Sequence, residues 1–347
     1  MSLKDKIFIF DLHNTLYDEV MEYGGAMGAA IEYLVDVGSF NRSDLMQQIA
    51  AAHARLGSDW DERLWQELEI LQDLDDLHLK KAQSVRAEAS EALTKKYAYY
   101  AVLEDLHALK ENGARVFVAT EASANAAADA IRWLDLDGVV DGVYSWPCAH
   151  PYSKLEKTRH YIFPSHPSEP DVKLQKPHPY IVAAIVLDCM KHDGVIAQDV
   201  RLEEIFSISE DTALDVSELE KAVPEESIQG KLAIEALKSR LLVQDKRAEE
   251  YMSHVYFAGD SFFKDGYLAR NTGVPFIYAA YGKVVRDTES FARAKEILYG
   301  VTGWEPFLLQ LTQEASKLPA MSSQIEPAYS CKESLRDMLK NVSNGEF

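Results

Sequence analysis

Two rhythms of apolar and polar positions alternate along this chain. Short, mainly apolar runs stand near 6–10, 115–119, 142–145, 254–258 and 275–280. Runs of that length with few polar interruptions predict strands buried on both faces. Between them, over about 123–134 and 178–191, apolar residues recur at three- and four-residue spacing and predict helices. Strands alternating with helices predict an α/β fold, a Rossmann-like parallel sheet with helices on both faces.

The first crossover is interrupted. Residues 20–99 carry helical spacing over 26–36, 43–56, 60–72 and 76–100, with almost no proline. Some eighty residues are too many for a simple connection, so a helical cap domain is expected there, hinged at about 17–25. Gly24, Gly25 and Gly28 have the look of a dinucleotide loop, but no strand immediately precedes them. Hinge or helix-packing roles suit them better. Residues 146–175, rich in proline, histidine and tyrosine, read as an extended loop near the active face. Residues 192–253 form an insertion, of which 228–252 reads as one long charged amphipathic helix with a solvated face. The expected organisation is a core over 1–19 and 100–318, a cap over 20–99, and a polar tail over 319–347 with a weak helix at 332–341. No internal repeat is found.

Composition narrows the function classes. Of 347 residues 47% are apolar, enough for a sizeable core. Acidic residues number 56 against 36 basic, a net charge of −20, which argues against nonspecific binding to nucleic acid or an anionic membrane surface. It leaves small phosphorylated ligands open, since those need only a local positive site. No apolar run approaches a membrane span, and the first strand begins near Lys6 with no room for a signal peptide ahead of it. A soluble, cytoplasmic protein is expected. Cys148, Cys189 and Cys331 are odd in number and widely spaced, suggesting neither a disulfide framework nor a zinc site.

The chemistry sits where the apolar runs end. The first runs into Asp11-Leu12-His13-Asn14-Thr15, the second into Thr120, and the fourth into Gly259-Asp260, with Asp265 five residues on. Between them lies Gln175-Lys176-Pro177-His178-Pro179, a lysine before a proline-stiffened helix start. A carboxylate fixed at the end of a buried strand suits a nucleophile or a metal ligand; it equally suits the cap of a surface turn.

Taken in order, these four segments resemble the motifs of the haloacid dehalogenase superfamily, most of whose members are phosphotransferases: an Asp-x-Asp-x-Thr loop, a strand ending in Thr or Ser, a lysine, and Gly-Asp-x-x-x-x-Asp. The resemblance covers about 6–20, 100–190 and 252–310. It implies Asp11 as nucleophile through an aspartyl-phosphate, and Mg²⁺ held by Asp11, Asp260 and the backbone carbonyl of His13, with Asp265 ligating or orienting through water. It implies Lys176 as the point charge on the phosphoryl group and Thr120 as a hydrogen-bond donor to it, with Thr15 shaping the loop. Three carboxylates that repel one another are relieved by a hard cation with oxygen ligands. The expected partner is a small phosphorylated metabolite.

One position departs from the pattern. Phosphatases of that family carry an aspartate as general acid and base where this chain has His13. An imidazole titrates near neutrality and can move a proton to a leaving alkoxide. A working phosphatase and a binding module with weak or lost catalysis both remain open. Dehalogenation is a poor fit, because both motif-four aspartates imply a metal it does not need. Phosphonate cleavage is poor as well: it uses an early cap lysine, and no lysine lies between Lys6 and Lys80. Glu121 is an oddity, an acidic side chain beside an anion hole that would repel substrate unless it turned away. His150, His160 and His166 match no tight metal spacing, His178 borders the lysine motif, and Trp60, Trp65, Tyr97, Tyr99 and Tyr100 read as core of the cap.

Overall fold

Ile7-Phe8-Ile9-Phe10 is buried at all four positions, which requires a strand in the middle of a sheet covered on both sides. The computed structural model describes residues 3–56, 64–148, 155–166, 173–214, 228–301, 325–332, 335–336 and 339. The strands are β1 (Ile7–Phe10), β2 (Arg115–Ser123), β3 (Gly142–Trp146), β4 (Arg159–Ile162), β5 (Phe206–Glu210), β6 (Ser239–Val243), β7 (Val255–Gly259), β8 (Phe276–Ala279) and β9 (Tyr329–Cys331). Seven form one sheet in the order β4-β3-β2-β1-β7-β8-β9, and every pairing in it is parallel.

That order places the site. The chain walks outward from β1 to β4, then returns on the other side of β1 with β7, β8 and β9. The reversal falls between β1 and β7, and a crevice opens outside the carboxyl ends of strands at such a point. Phe10 is level with Val118 of β2 and Ala258 of β7. The residues just beyond these three therefore reach one edge together. The helix Tyr180–His192 buries Ile181, Val182, Ile185, Val186, Cys189 and Met190 in the same cluster as Ile7, Ile9 and Phe257.

The chain divides into two compact units, one of Met1–Leu16, Tyr100–Tyr281 and Ala320–Phe347, the other of Tyr17–Tyr99 and Gly282–Pro319. The second is helical. Glu19–Gly38 is capped by Asp18, whose carboxylate accepts the Met21 N–H at 3.1 Å, and Arg42–Leu56, Asp76–Lys96 and Thr288–Val301 accompany it. The core expected over 100–318 takes in 282–318. Instead Thr288–Val301 joins the helical unit, because Ala294, Ile297, Leu298 and Val301 bury against the cluster of Tyr23, Met27 and Ile31. Gly24 explains the fit: a Cβ on it would lie 2.7 Å from the Ala294 Cα, so helix packing and not nucleotide binding accounts for that glycine. Trp65 and Tyr99 are buried, whereas Tyr100 is exposed; Trp60 lies outside the described residues.

Other expectations are corrected. Of the helix expected at 60–72, the described part is two 3₁₀ turns, Leu64–Glu67 and Glu69–Leu71. The helix expected over 76–100 stops at Lys96, where Tyr97 leaves helical geometry, and a new one runs Tyr100–Glu111. The long helix expected at 228–252 is broken into Ile228–Lys238, strand β6 and Lys246–Met252. Leu241 and Val243 of β6 pack on the core, and the strand pairs with β5 antiparallel. The 146–175 loop contains β4, an edge strand, and the tail contributes β9. His150 and most of the tail helix at 332–341 lie outside the described residues.

Candidate active site

Asp11 leaves β1 with its N–H donated to the Ala258 carbonyl of β7 at 2.8 Å, so its backbone is fixed to the neighbouring strand. Asn14 follows with φ 53°, and Leu16 N–H returns to the Leu12 carbonyl at 2.9 Å, closing a tight loop. The loop is held by Thr15 through its carbonyl, which accepts the Tyr281 hydroxyl at 2.9 Å; its own hydroxyl is buried without a hydrogen-bond partner among the described residues.

Asp260 follows the last residue of β7. Beyond it Phe262–Gly266 makes a single π-helical turn, anchored by the Phe262 ring 4.2 Å from that of Tyr278. This turn brings Asp265 back beneath the strand end. Its carboxylate accepts the Ser261 N–H at 3.0 Å and lies so close to Gly259 that a Cβ there would be 2.2 Å from Oδ2. A short helix, Tyr267–Thr272, follows it. Asn271 on that helix donates to the carbonyls of Pro177, at 3.3 Å, and Ala236, at 2.8 Å, tying the lysine loop to the fourth segment.

The four segments converge. Oxygens of Asp11, Asp260 and Asp265 lie within 4.8 Å of one another, and all three residues are buried. The Lys176 ammonium donates to Asp11 Oδ1 at 2.6 Å and to Asp265 Oδ1 at 2.7 Å, with its side chain 3% exposed. Burial is the main influence on Asp11 and raises its pKa; Lys176 opposes this and Asp260 adds to it. Asp265 is pushed up to about 7 by burial, against Lys176, with Asp11 and Asp260 repelling its charge. Lys176 would lose its proton more readily through burial alone, but Asp11, Asp265 and Glu121 raise its pKa. The cluster is therefore a carboxylate-rich pocket with one ammonium wedged between two of its acids.

Thr120 is fully buried, the last buried position of β2 and directly after its apolar run, and its hydroxyl accepts the Ala122 N–H at 3.1 Å. His13 is half-buried and near enough to Asp11 for its positive form to lower the carboxylate pKa. His178 is buried below the lysine loop, its ring 5.7 Å from that of His166, and His160 meets the Ser145 hydroxyl at 2.7 Å. None of these three joins the carboxylate cluster among the described residues.

Glu121 resolves differently from its expected role as a repelling group. One of its oxygens accepts the Lys176 backbone N–H at 2.8 Å and the other the Lys264 ammonium at 2.6 Å. Burial would raise its pKa, yet Lys264 and then Lys176 hold it lowered. Sequence reading missed Lys264, Ser261 and Asn271. Lys264 and Glu121 are 143 positions apart, so no local pattern could pair them. Ser261 was visible in Gly-Asp-Ser, but its job rests on a backbone N–H that any residue carries.

No family model and no curated protein matches the sequence. Solved structures resemble it distantly. A 2-haloacid dehalogenase from Pseudomonas syringae is 15% identical over 85% of this chain and 98% of its own, at a TM-score of 0.42. YfnB of Bacillus subtilis, described as a HAD-hydrolase and bound to magnesium, is 9% identical over 96% and 97%, at 0.39. A HAD-superfamily hydrolase from Geobacter sulfurreducens is 14% identical over 79% and 86%, at 0.33. At such identities and scores the functional reading rests on the site's own geometry.

Proposed function

We propose that the chain hydrolyses a small phosphate monoester, using Mg²⁺ and an aspartyl-phosphate at Asp11, in the manner of the superfamily its motifs resemble. One observation carries this reading: Asp11, Asp260 and Asp265 meet in a buried cluster with Lys176 bridging Asp11 and Asp265. A surface turn capped by Asp11 would need no such company.

The residues fit the metal. Three buried, mutually repelling carboxylates facing one ammonium suit a hard divalent cation with oxygen ligands. Asp11, Asp260 and the His13 carbonyl would hold it. Asp265, whose two oxygens already accept from Lys176 and Ser261, would orient that lysine and take a lesser part at the ion. When bound, the ion would screen the approach of a carboxylate to an anionic phosphorus.

The chain's own groups do the rest. A carboxylate oxygen of Asp11 attacks phosphorus in line while the Lys176 ammonium balances charge on the phosphoryl oxygens. Thr120 turns its hydroxyl hydrogen to one of those oxygens. The His13 imidazolium gives its proton to the leaving alkoxide, and the neutral ring then takes one from the water that cleaves the acyl phosphate. The helical unit inserted after β1 is proposed as the cap that chooses the substrate.

A second reading is favoured by His13 itself: a phosphate- or metabolite-binding module with little turnover. Steady-state assays of a panel of sugar and nucleotide phosphates with Mg²⁺ separate the two. The hydrolase reading expects wild-type turnover, a pH dependence near neutrality that His13→Ala abolishes, and a loss of about a thousandfold or more in Asp11→Asn. A silent wild type that gains activity as His13→Asp selects the binding module. Activity that survives Asp11→Asn removes the nucleophile assignment.

A further inference from the structure

We propose that Lys264 is a specificity-determining counter-ion of this site: it neutralises Glu121 so that a phosphate dianion can be bound beside that carboxylate. The inference rests on the phosphohydrolase reading above. Glu121 directly follows Thr120, the proposed hydrogen-bond donor to the phosphoryl group, and its carboxylate meets the Lys176 loop, so its charge lies near where a dianion must sit. It is not free to swing away, because its Oε1 accepts the backbone N–H of Lys176 at 2.8 Å and thereby fixes the loop carrying the buried ammonium. Glu121 thus does a positional job that brings an unwanted negative charge, and the chain needs a cation to cancel it.

Lys264 is that cation. Its Nζ is 2.6 Å from Glu121 Oε2, and Asp11 and Lys176 are both close enough to act on it electrostatically. Its backbone is set by the same π turn that delivers Asp265, with Lys264 N–H donated to Ser261 Oγ at 3.1 Å. The side chain is 54% exposed, in contrast to 3% for Lys176. The buried lysine belongs to the reacting group and the exposed one to the rim past which an anion enters. The lysine end of this pair is solvated while Glu121 is only 16% exposed, so the charge on Lys264 acts on an incoming anion from the solvent side.

The prediction has a sign that a packing role would not produce. Removing Lys264 alone leaves Glu121 uncompensated; removing both charges restores neutrality, and Gln at 121 keeps an oxygen for the Lys176 N–H. Orthovanadate and inorganic phosphate binding are measured by calorimetry in magnesium buffer for wild type, Lys264→Met, Glu121→Gln and the double variant. Turnover of p-nitrophenyl phosphate is followed in parallel. Lys264→Met is expected to weaken both anions about tenfold and to raise KM by a similar factor with kcat within about twofold. The double variant is expected to recover to within about threefold of wild type. Wild-type affinity in Lys264→Met, or a double variant no better than it, overturns the inference while leaving the phosphohydrolase reading intact. A wild type that binds neither anion and hydrolyses nothing overturns both.

Discussion

At the scale of single residues, the site depends on groups whose chemistry is set by what presses on them. Gly259 has no side chain because the Asp265 carboxylate occupies the space a Cβ would need, at 2.2 Å. Gly259→Ala should therefore push Asp265 off both Lys176 and the Ser261 N–H. The expected result is at least a tenfold loss of Mg²⁺-dependent turnover and weaker Mg²⁺ binding by calorimetry, at a stability cost of about 1–3 kcal/mol. Unchanged Mg²⁺ affinity in a folded Gly259→Ala would show that Asp265 is dispensable to the pocket. Asp11, Lys176 and Asp260 stand out in the sequence because each sits at the junction of an apolar run or a proline-stiffened turn with a polar loop, whereas Asp265 stands out only by its five-residue spacing from Asp260. Lys264 does not, since its meaning comes entirely from Glu121, far away in the chain.

At the scale of elements, a strand or helix was legible where its pattern was strong on its own. β1 and β7 are apolar at nearly every position and their places were anticipated. β4, Arg-His-Tyr-Ile, and β9, Tyr-Ser-Cys, are sheet edges with polar residues on them, and edges need no continuous apolar run. β6 was lost inside an apparent helix because Leu241-Leu242-Val243 satisfies either period over so short a span. A helix-packing role for Gly24 is legible, but not its partner, which lies some 270 residues on, counted from Gly24 to Ala294. That contact is testable. Gly24→Ala gains about 1 kcal/mol of helix propensity but drives a methyl into the Ala294 backbone. A net loss of about 1–3 kcal/mol in denaturant unfolding is expected; a stabilised variant would mean that the two helices do not approach so closely.

At the scale of the whole molecule, stability is tied to pH through groups the fold buries. Burial, with His166 beside it, lowers the His178 pKa to about 3, and burial lowers that of His160 to about 4. In the unfolded chain both take protons near 6.5. Between the two values the unfolded state binds a proton that the folded state refuses. Their contribution is thus intact above pH about 6.5 and erodes as pH falls toward 3–4. Asp11, Asp18 and Asp265 have raised values and act oppositely, losing stability as pH rises through the acid range. The clean readout is a difference: between pH about 7 and about 5, wild type should lose about 1–2 kcal/mol more than His178→Gln. Equal losses would mean that His178 charges freely in the folded state. Among the described residues no helix is long and apolar enough to cross a membrane.

Four distant stretches of chain are proposed to assemble one magnesium-dependent phosphoryl site around Asp11. A crystal structure grown with magnesium and orthovanadate addresses it most directly. Vanadium bonded to an Asp11 carboxylate oxygen, magnesium held by Asp11 and Asp260, and the Lys176 ammonium within hydrogen-bonding distance of a vanadate oxygen are expected. Vanadate seated away from Asp11, or magnesium bound without Asp260, would contradict this.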